Sequence, residues 1–321
     1  MHEGVGRGGK HLYPAFPYPW FTKVVPDDVR AIQAYLETLP KVRQKNKSPE
    51  LAWPFSVREV MIGWNVVNFH AGNFRGDPNK SPQWNRGAYL VEGLGHCGEC
   101  HSPKNMMGAS KKGHQLQGGS AENWYASNLG GDFRDGLGSW STQEIVEYLK
   151  NGSNAKAAAA GPMADVVRDS TGHLNNADLN AIATYLKDLP GTPEAAEAKV
   201  NDSDRSALAR GKALYAANCI GCHFKSGQGM ARVFPPLKGS ADIQAKDPAT
   251  VLQVIIGGGT VVTAKQQPWP YHMPAFGRTL SDQQIADLAT YIRNAWGNRA
   301  GSVSAVEVAK VRKEDRPSTA K

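Results

Sequence analysis

Cys97-Gly98-Glu99-Cys100-His101 has an echo later in the chain at Cys219-Ile220-Gly221-Cys222-His223, and the two stretches use all four cysteines. Cys-x-x-Cys followed at once by His is the attachment signature for c-type haem. Two thiols three residues apart form thioethers to both vinyl groups, while the next side chain reaches the iron. Two other readings compete. A four-cysteine zinc site built from two such pairs separates them by about 15 to 20 residues, whereas Cys100 and Cys219 lie far apart. A thioredoxin-like redox motif needs a preceding strand in a βαβ pattern, and neither run before these cysteines has strand character.

Length and composition agree with haem domains. A chain of 321 residues suggests about two domains, and 40% hydrophobic with 8% aromatic residues is enough to fold them. With 34 Gly and 20 Pro, loops should be extensive. A haem supplies a large apolar body, so a domain of about 100 residues can fold as a few helices with long wrapping loops. The fold class expected is therefore all-α, as tandem class I cytochrome c domains. A net charge of +8 suits an acidic partner or an anionic membrane surface, or simply a soluble basic protein; no nucleic-acid partner is expected. No apolar run reaches the roughly 18 residues of a spanning helix, and no export signal is visible.

Helical stripes count the domains. Val29, Ile32, Leu36 and Leu39 form one, with acids at the start of the helix and Pro40 at its stop. Leu179, Ile182, Leu186 and Leu189 repeat it with Tyr185 in the place of Tyr35, and Ile285, Leu288, Ile292 and Ala295 repeat it with Tyr291. Only the second and third copies close a segment opened by Cys-x-x-Cys-His. The expected organisation is a remnant of a first cytochrome c domain at 1–42, a connector at 43–82, haem domains at 83–190 and 205–297 joined by a linker at 191–204, and a disordered polar tail at 298–321. The connector carries a basic run from Lys41 to Lys47 and an apolar stretch, Leu51 to Phe69, that suits a helix packed between domains or docked on a partner or membrane surface.

Axial ligands follow from chain path. His101 and His223 supply one side of each iron. The other face is reached only after the chain has wrapped the ring, and there Met163, in Gly161-Pro162-Met163, and Met273, in Tyr271-His272-Met273-Pro274, precede the closing helices. His173 and His114 rival Met163, and His272 rivals Met273; Met106 and Met107, close to His101, are expected to be packing residues. A ligating imidazole normally donates its second N–H to an acceptor. The Pro235 carbonyl fits that role under His223, and the neighbourhood of Ser127-Asn128 fits it in the first domain. Gly87 is expected to let the opening helix approach the helix of Tyr185, and Ser281 with Gln284 has capping-box spacing.

Together with the paired haem motifs, Gly-Pro-Met163 and Met273-Pro-Ala-Phe, the runs Trp84 to His96 and Tyr13 to Tyr18 resemble the multihaem, normally three-haem, cytochrome c subunit of bacterial membrane-bound dehydrogenases. The likeness extends from Gly8 to Gly297. It implies haem c cofactors, two in this chain and a third in a full-length protein whose first domain is cut short here. It also implies a periplasmic address on the outer face of the inner membrane, with peripheral membrane association. The implied partners are a catalytic dehydrogenase subunit of flavin, quinoprotein or molybdenum type as donor, and ubiquinone or a terminal oxidase as acceptor. The chain is then an electron-transfer subunit without catalysis of its own. The alternative is a dihaem enzyme, of peroxidase or thiosulfate-oxidising type, which needs one open or displaceable axial position.

Overall fold

The computed structural model describes residues 1–51, 53–191, 204–260 and 271–314. The amino-terminal arm is held by buried aromatics more than by regular structure. Its short helix α1 (Tyr18–Phe21) buries Tyr18 completely. The Tyr18 ring meets Trp64 and Phe69 edge-on, at centroid distances of 6.3 and 5.0 Å, and its hydroxyl donates to Asn65 Oδ1 at 2.5 Å. Gly4, Gly6 and Gly9 have the bare spacing of a nucleotide-binding loop. Gly9 ends a 3-10 turn, Arg7–Gly9, that Gly6 precedes, with no strand before it, so the three lack the strand–turn–helix setting that such a loop requires.

Helix α2 (Pro26–Glu37) begins where proline and two acids favour a helix start, yet none of its residues is buried. Leu36 is 57% and Leu39 44% exposed, so the stripe that suggested a domain core faces outward. The connector forms α3 (Val60–Asn68), which buries Met61 and Trp64 against Tyr18 and Ala109. It thus packs between the arm and the first helical bundle, while Ile62, Val66 and Val67 stay exposed.

The first bundle opens with α4 (Pro82–Tyr89), capped by Ser81, and runs through a π-helical turn at Leu90–Leu94 into α5 (Gly98–His101). Strands β1 (Gln117–Ala121) and β2 (Trp124–Asn128) pair antiparallel. Then come α6 (Thr142–Asn151), α7 (Pro162–Asp169) and α8 (Asn176–Lys187). α4 crosses α8 at Gly87, where a Cβ would lie 2.0 Å from the Ala181 carbonyl and 2.9 Å from Tyr185 Cβ. Val91, Ile145, Leu179 and Ile182 lie in the core beside this crossing.

The second bundle repeats the plan with α9 (Asp204–Asn218), α10 (Ile220–His223), α11 (Ala241–Gln244) and α12 (Ala249–Gly257). A two-residue hairpin follows, β3 (Gly259–Thr260) with β4 (His272–Met273), and then α13 (Asp282–Asn294) and α14 (Ala305–Glu314). The Ser281–Gln284 capping box forms at the start of α13. The architecture is mostly helical, as expected, with two short antiparallel strand pairs among the described residues that no alternating pattern had announced.

The tail differs from expectation. Residues 298–314 are ordered: Asn298 is buried and bonds Leu237 and Ile292 through their carbonyls. Ser304 caps α14 with Glu307, and Val308 and Val311 are buried in the second core. Arg312 ties α14 to Asp282 at 2.7 Å. The stripe is only two valines long, too short to register as a helix by itself, and it becomes one because α12 and α13 offer an apolar surface. Residues 315–321 and 192–203, which hold the end of the tail and most of the linker, lie outside the described residues. Met106 also departs from expectation, since it is fully exposed and packs on nothing.

α9 and α13 cross at Gly211, where a Cβ would lie 2.1 Å from the Asp287 carbonyl. Gly211→Ala should therefore cost about 1–3 kcal/mol, the usual range for overpacking. It should be read as a lower guanidinium midpoint at unchanged slope.

Candidate haem-binding sites

In the first site Cys97 stands at the N-cap of α5, just after the π turn, and Cys100 and His101 sit on α5. Gly98 is pressed by the Trp20 indole, 2.2 Å from where a Cβ would stand. Trp20 Nε1 donates to Glu99 Oε2 at 2.8 Å, and Lys104 Nζ donates to Glu99 Oε1 at 2.6 Å. The arm thus clamps the back of the attachment motif. His101 Nδ1 donates to the Ser127 carbonyl at 2.7 Å, which fixes the tautomer and leaves Nε2 as the nitrogen for an axial bond. Burial holds the His101 pKa below its ordinary value, keeping the ring in the neutral form that ligates. Burial also pushes the Cys97 thiol up to about 11. That environment suits a thioether better than the thiolate that zinc requires.

The second site repeats these features with different backing. His223 is buried and donates from Nδ1 to the Pro235 carbonyl at 3.0 Å; burial again lowers its pKa, and the Cys219 thiol rises to about 11. The chain returns beneath the imidazole through Gly229, in the left-handed region at φ +59°, where a Cβ would lie 2.2 Å from the Phe234 carbonyl. Cys219, Cys222 and His223 open onto one cavity walled by Val251, Ile255, Leu288 and Ile292 and reached by Met273. An apolar cavity with two thiols and an imidazole at its rim fits a flat apolar macrocycle held from one edge.

The structure places Met273 in the cavity of His223. His272 lines it too, but its Nδ1 lies 3.0 Å from Thr260 Oγ1 in an exposed pair. Met163 sits half-buried in the first turn of α7, after Gly161 has turned at φ +52° against the Trp124 indole. Its rivals are engaged elsewhere at the surface: His173 Nε2 contacts the Arg168 carbonyl at 2.9 Å, and His114 Nδ1 contacts Gln117 at 2.8 Å.

Sequence reasoning missed how the bundles meet. β2, which holds His101, docks on α12. Tyr125 N donates to Thr250 Oγ1 at 3.0 Å, and Thr250 Oγ1 donates to the Tyr125 carbonyl at 2.7 Å. Ala157 to Ala160, on the loop leading to Met163, line the cavity of the second site. A run of four alanines, too small to fill a core, was the available signal that something large packs there.

A mostly helical chain whose bundles carry Cys-x-x-Cys-His on a short helix, with the imidazole backed by a carbonyl, is a c-type cytochrome, which binds haem c covalently. The cytochrome c family model matches residues 208–296. The chain is 37% identical to the cytochrome c subunit of the quinone alcohol dehydrogenase of Gluconobacter oxydans, over 99% of this chain and 70% of that one. It is 36% identical to the gluconate 2-dehydrogenase cytochrome c subunit of Pantoea cypripedii, over 98% and 76%. The fructose dehydrogenase cytochrome subunit of Gluconobacter japonicus is 33% identical, over 97% of this chain and 69% of its own length. The chain belongs to the family of dehydrogenase cytochrome c subunits.

Cys100→Ala and Cys222→Ala each delete one thioether partner. Each should shift the pyridine haemochrome α band towards that of a haem retaining a vinyl group, and the covalent haem should persist in the mass spectrum of the denatured chain.

Proposed function

We propose that this chain relays electrons from a catalytic dehydrogenase subunit, of flavin, quinoprotein or molybdenum type, to ubiquinone or a terminal oxidase. Two haems carry them, one between His101 and Met163, the other between His223 and Met273. The setting proposed is the periplasmic, outer face of the inner membrane, with peripheral attachment; among the described residues no helix is long and apolar enough to cross a membrane. The observation that carries this reading is the shared cavity of His223 and Met273, in a chain whose relatives are named as cytochrome c subunits of dehydrogenases.

The chemistry that haem c supplies is reversible one-electron uptake, and Met/His ligation raises its potential. The chain's residues do the rest. His101 and His223 present neutral rings in fixed tautomers to the iron. The thioether cysteines fix the macrocycle's edge, and Val251, Ile255, Leu288 and Ile292 exclude water from the second site. His101 with Met163, and His223 with Met273, would hold the two haems from both sides and leave no place for a substrate, so the group would supply electron transfer alone.

The test is the state of the axial bonds. Met163→Ala and Met273→Ala should each remove about half of the weak sulfur-to-iron charge-transfer band and open one iron to carbon monoxide. The unmodified protein should show two low-spin haems per chain, be reduced by the dehydrogenase with its substrate, and not be reduced by substrate alone. A high-spin band in the unmodified protein, or reduction without a partner, favours the dihaem enzyme instead.

A further inference from the structure

Asp242, on α11, stands between the two sites. The Ser127 hydroxyl donates to Asp242 Oδ1, and the same residue's carbonyl accepts the proton of His101. Asp242 also lines the cavity of His223 and Met273. One side chain of the second bundle therefore sits two hydrogen bonds behind the imidazole of the first site and in the wall of the second.

We propose that Asp242 is a redox-linked proton site shared by both haems, taking up one proton from water as an electron enters and returning it when the electron leaves. This rests on the two-haem reading above. Among the described residues no cation is hydrogen-bonded or ion-paired to the carboxylate. From the first bundle it interacts with the neutral His101 and the phenol of Tyr148, and β2 adds Ser127. Arg134 lies nearby, its carbonyl accepting from Gln244 and its charge acting on Asp135. Arg293, from α13, is committed to the carbonyls of Ile243 and Ala245, each at 3.0 Å. α12 offers no titratable side chain, and Lys246 and Asp247 follow on the loop, Lys246 exposed.

A negative charge enclosed this way repels an arriving electron, and protonation removes the repulsion. Burial lifts the Asp242 carboxyl above its ordinary value, the Ser127 hydrogen bond and His101 pulling the other way. Reduction lifts it further. Between the two values the potential falls as pH rises, by about 59 mV in total for each tenfold tightening of proton binding on reduction.

The experiment is spectroelectrochemical titration of the haem-loaded protein across pH. In Asp242→Asn the potential should stay at the wild-type acid limit as pH rises, so that the two proteins agree at low pH and separate at high pH. Haem propionates contribute equally to both, and the difference isolates Asp242. Ser127→Ala, which keeps the carboxylate but removes its donor, should move the window to higher pH. Asp242→Asn tracking the wild type at every pH, in a sample holding two haems per chain, overturns the proposal and leaves the two-haem reading standing; a count of one haem overturns both. Should Asp242→Asn fail to take up haem, Ser127→Ala decides: a displaced window supports the proposal and an unmoved one overturns it.

Discussion

The hydrogen bond from His101 Nδ1 to the Ser127 carbonyl, 2.7 Å long, joins two demands that the chain must meet at once. A ligating imidazole needs its far nitrogen held, or ring orientation and tautomer drift. Its own helix cannot do this, because α5 is a single turn whose carbonyls run along the axis. The acceptor must come from a separate segment brought behind the ring, and the β1–β2 hairpin is that segment. β2 then uses its remaining groups on the other bundle, through Tyr125 to Thr250 and Ser127 to Asp242. The strand that orients the first imidazole is also the strand that joins the bundles.

The second bundle meets the first demand without the second. Its acceptor, the Pro235 carbonyl, lies on an irregular turn. Proline has no N–H to satisfy and its fixed φ stiffens the turn, so a carbonyl can be aimed without a paired strand. The two sites are alike where haem chemistry dictates, in the thiols, the imidazole and the glycine crossing of opening and closing helices. They differ where the imidazole is backed.

That division explains what could be seen in sequence. Gly87 was legible because only glycine permits a carbonyl at about 2 Å from its Cβ position; Gly211 makes the same crossing in the second bundle, where it had not been singled out. The Pro235 carbonyl was legible because a proline pair marks a stiff return. The β1–β2 hairpin was not: Gln117-Gly118-Gly119-Ser120-Ala121 is polar and small, with no alternation, and it is held as a strand by what it docks on. α14 shows the same limit, since Val308 and Val311 form a helix face only against α12 and α13. Asp242 resembled any surface aspartate, because nothing local indicates that a strand more than a hundred residues earlier closes over it.

The contact between bundles bears on electron flow through the walls that they share. Ala157 to Ala160 belong to the loop that runs into Met163, yet they line the cavity of His223. Thr250 and Asp242 belong to the second bundle, and they bond the strand that holds His101. Each bundle is thus bounded in part by a segment of the other, on both sides of the contact. Close-packed walls do not deform independently. A charge change in one cavity therefore acts on the other through rigid, water-poor protein, where screening by solvent and salt is weak. Two bundles joined by a flexible tether alone would meet only by diffusion; β2 and the Ala157–Ala160 loop hold these two in direct contact.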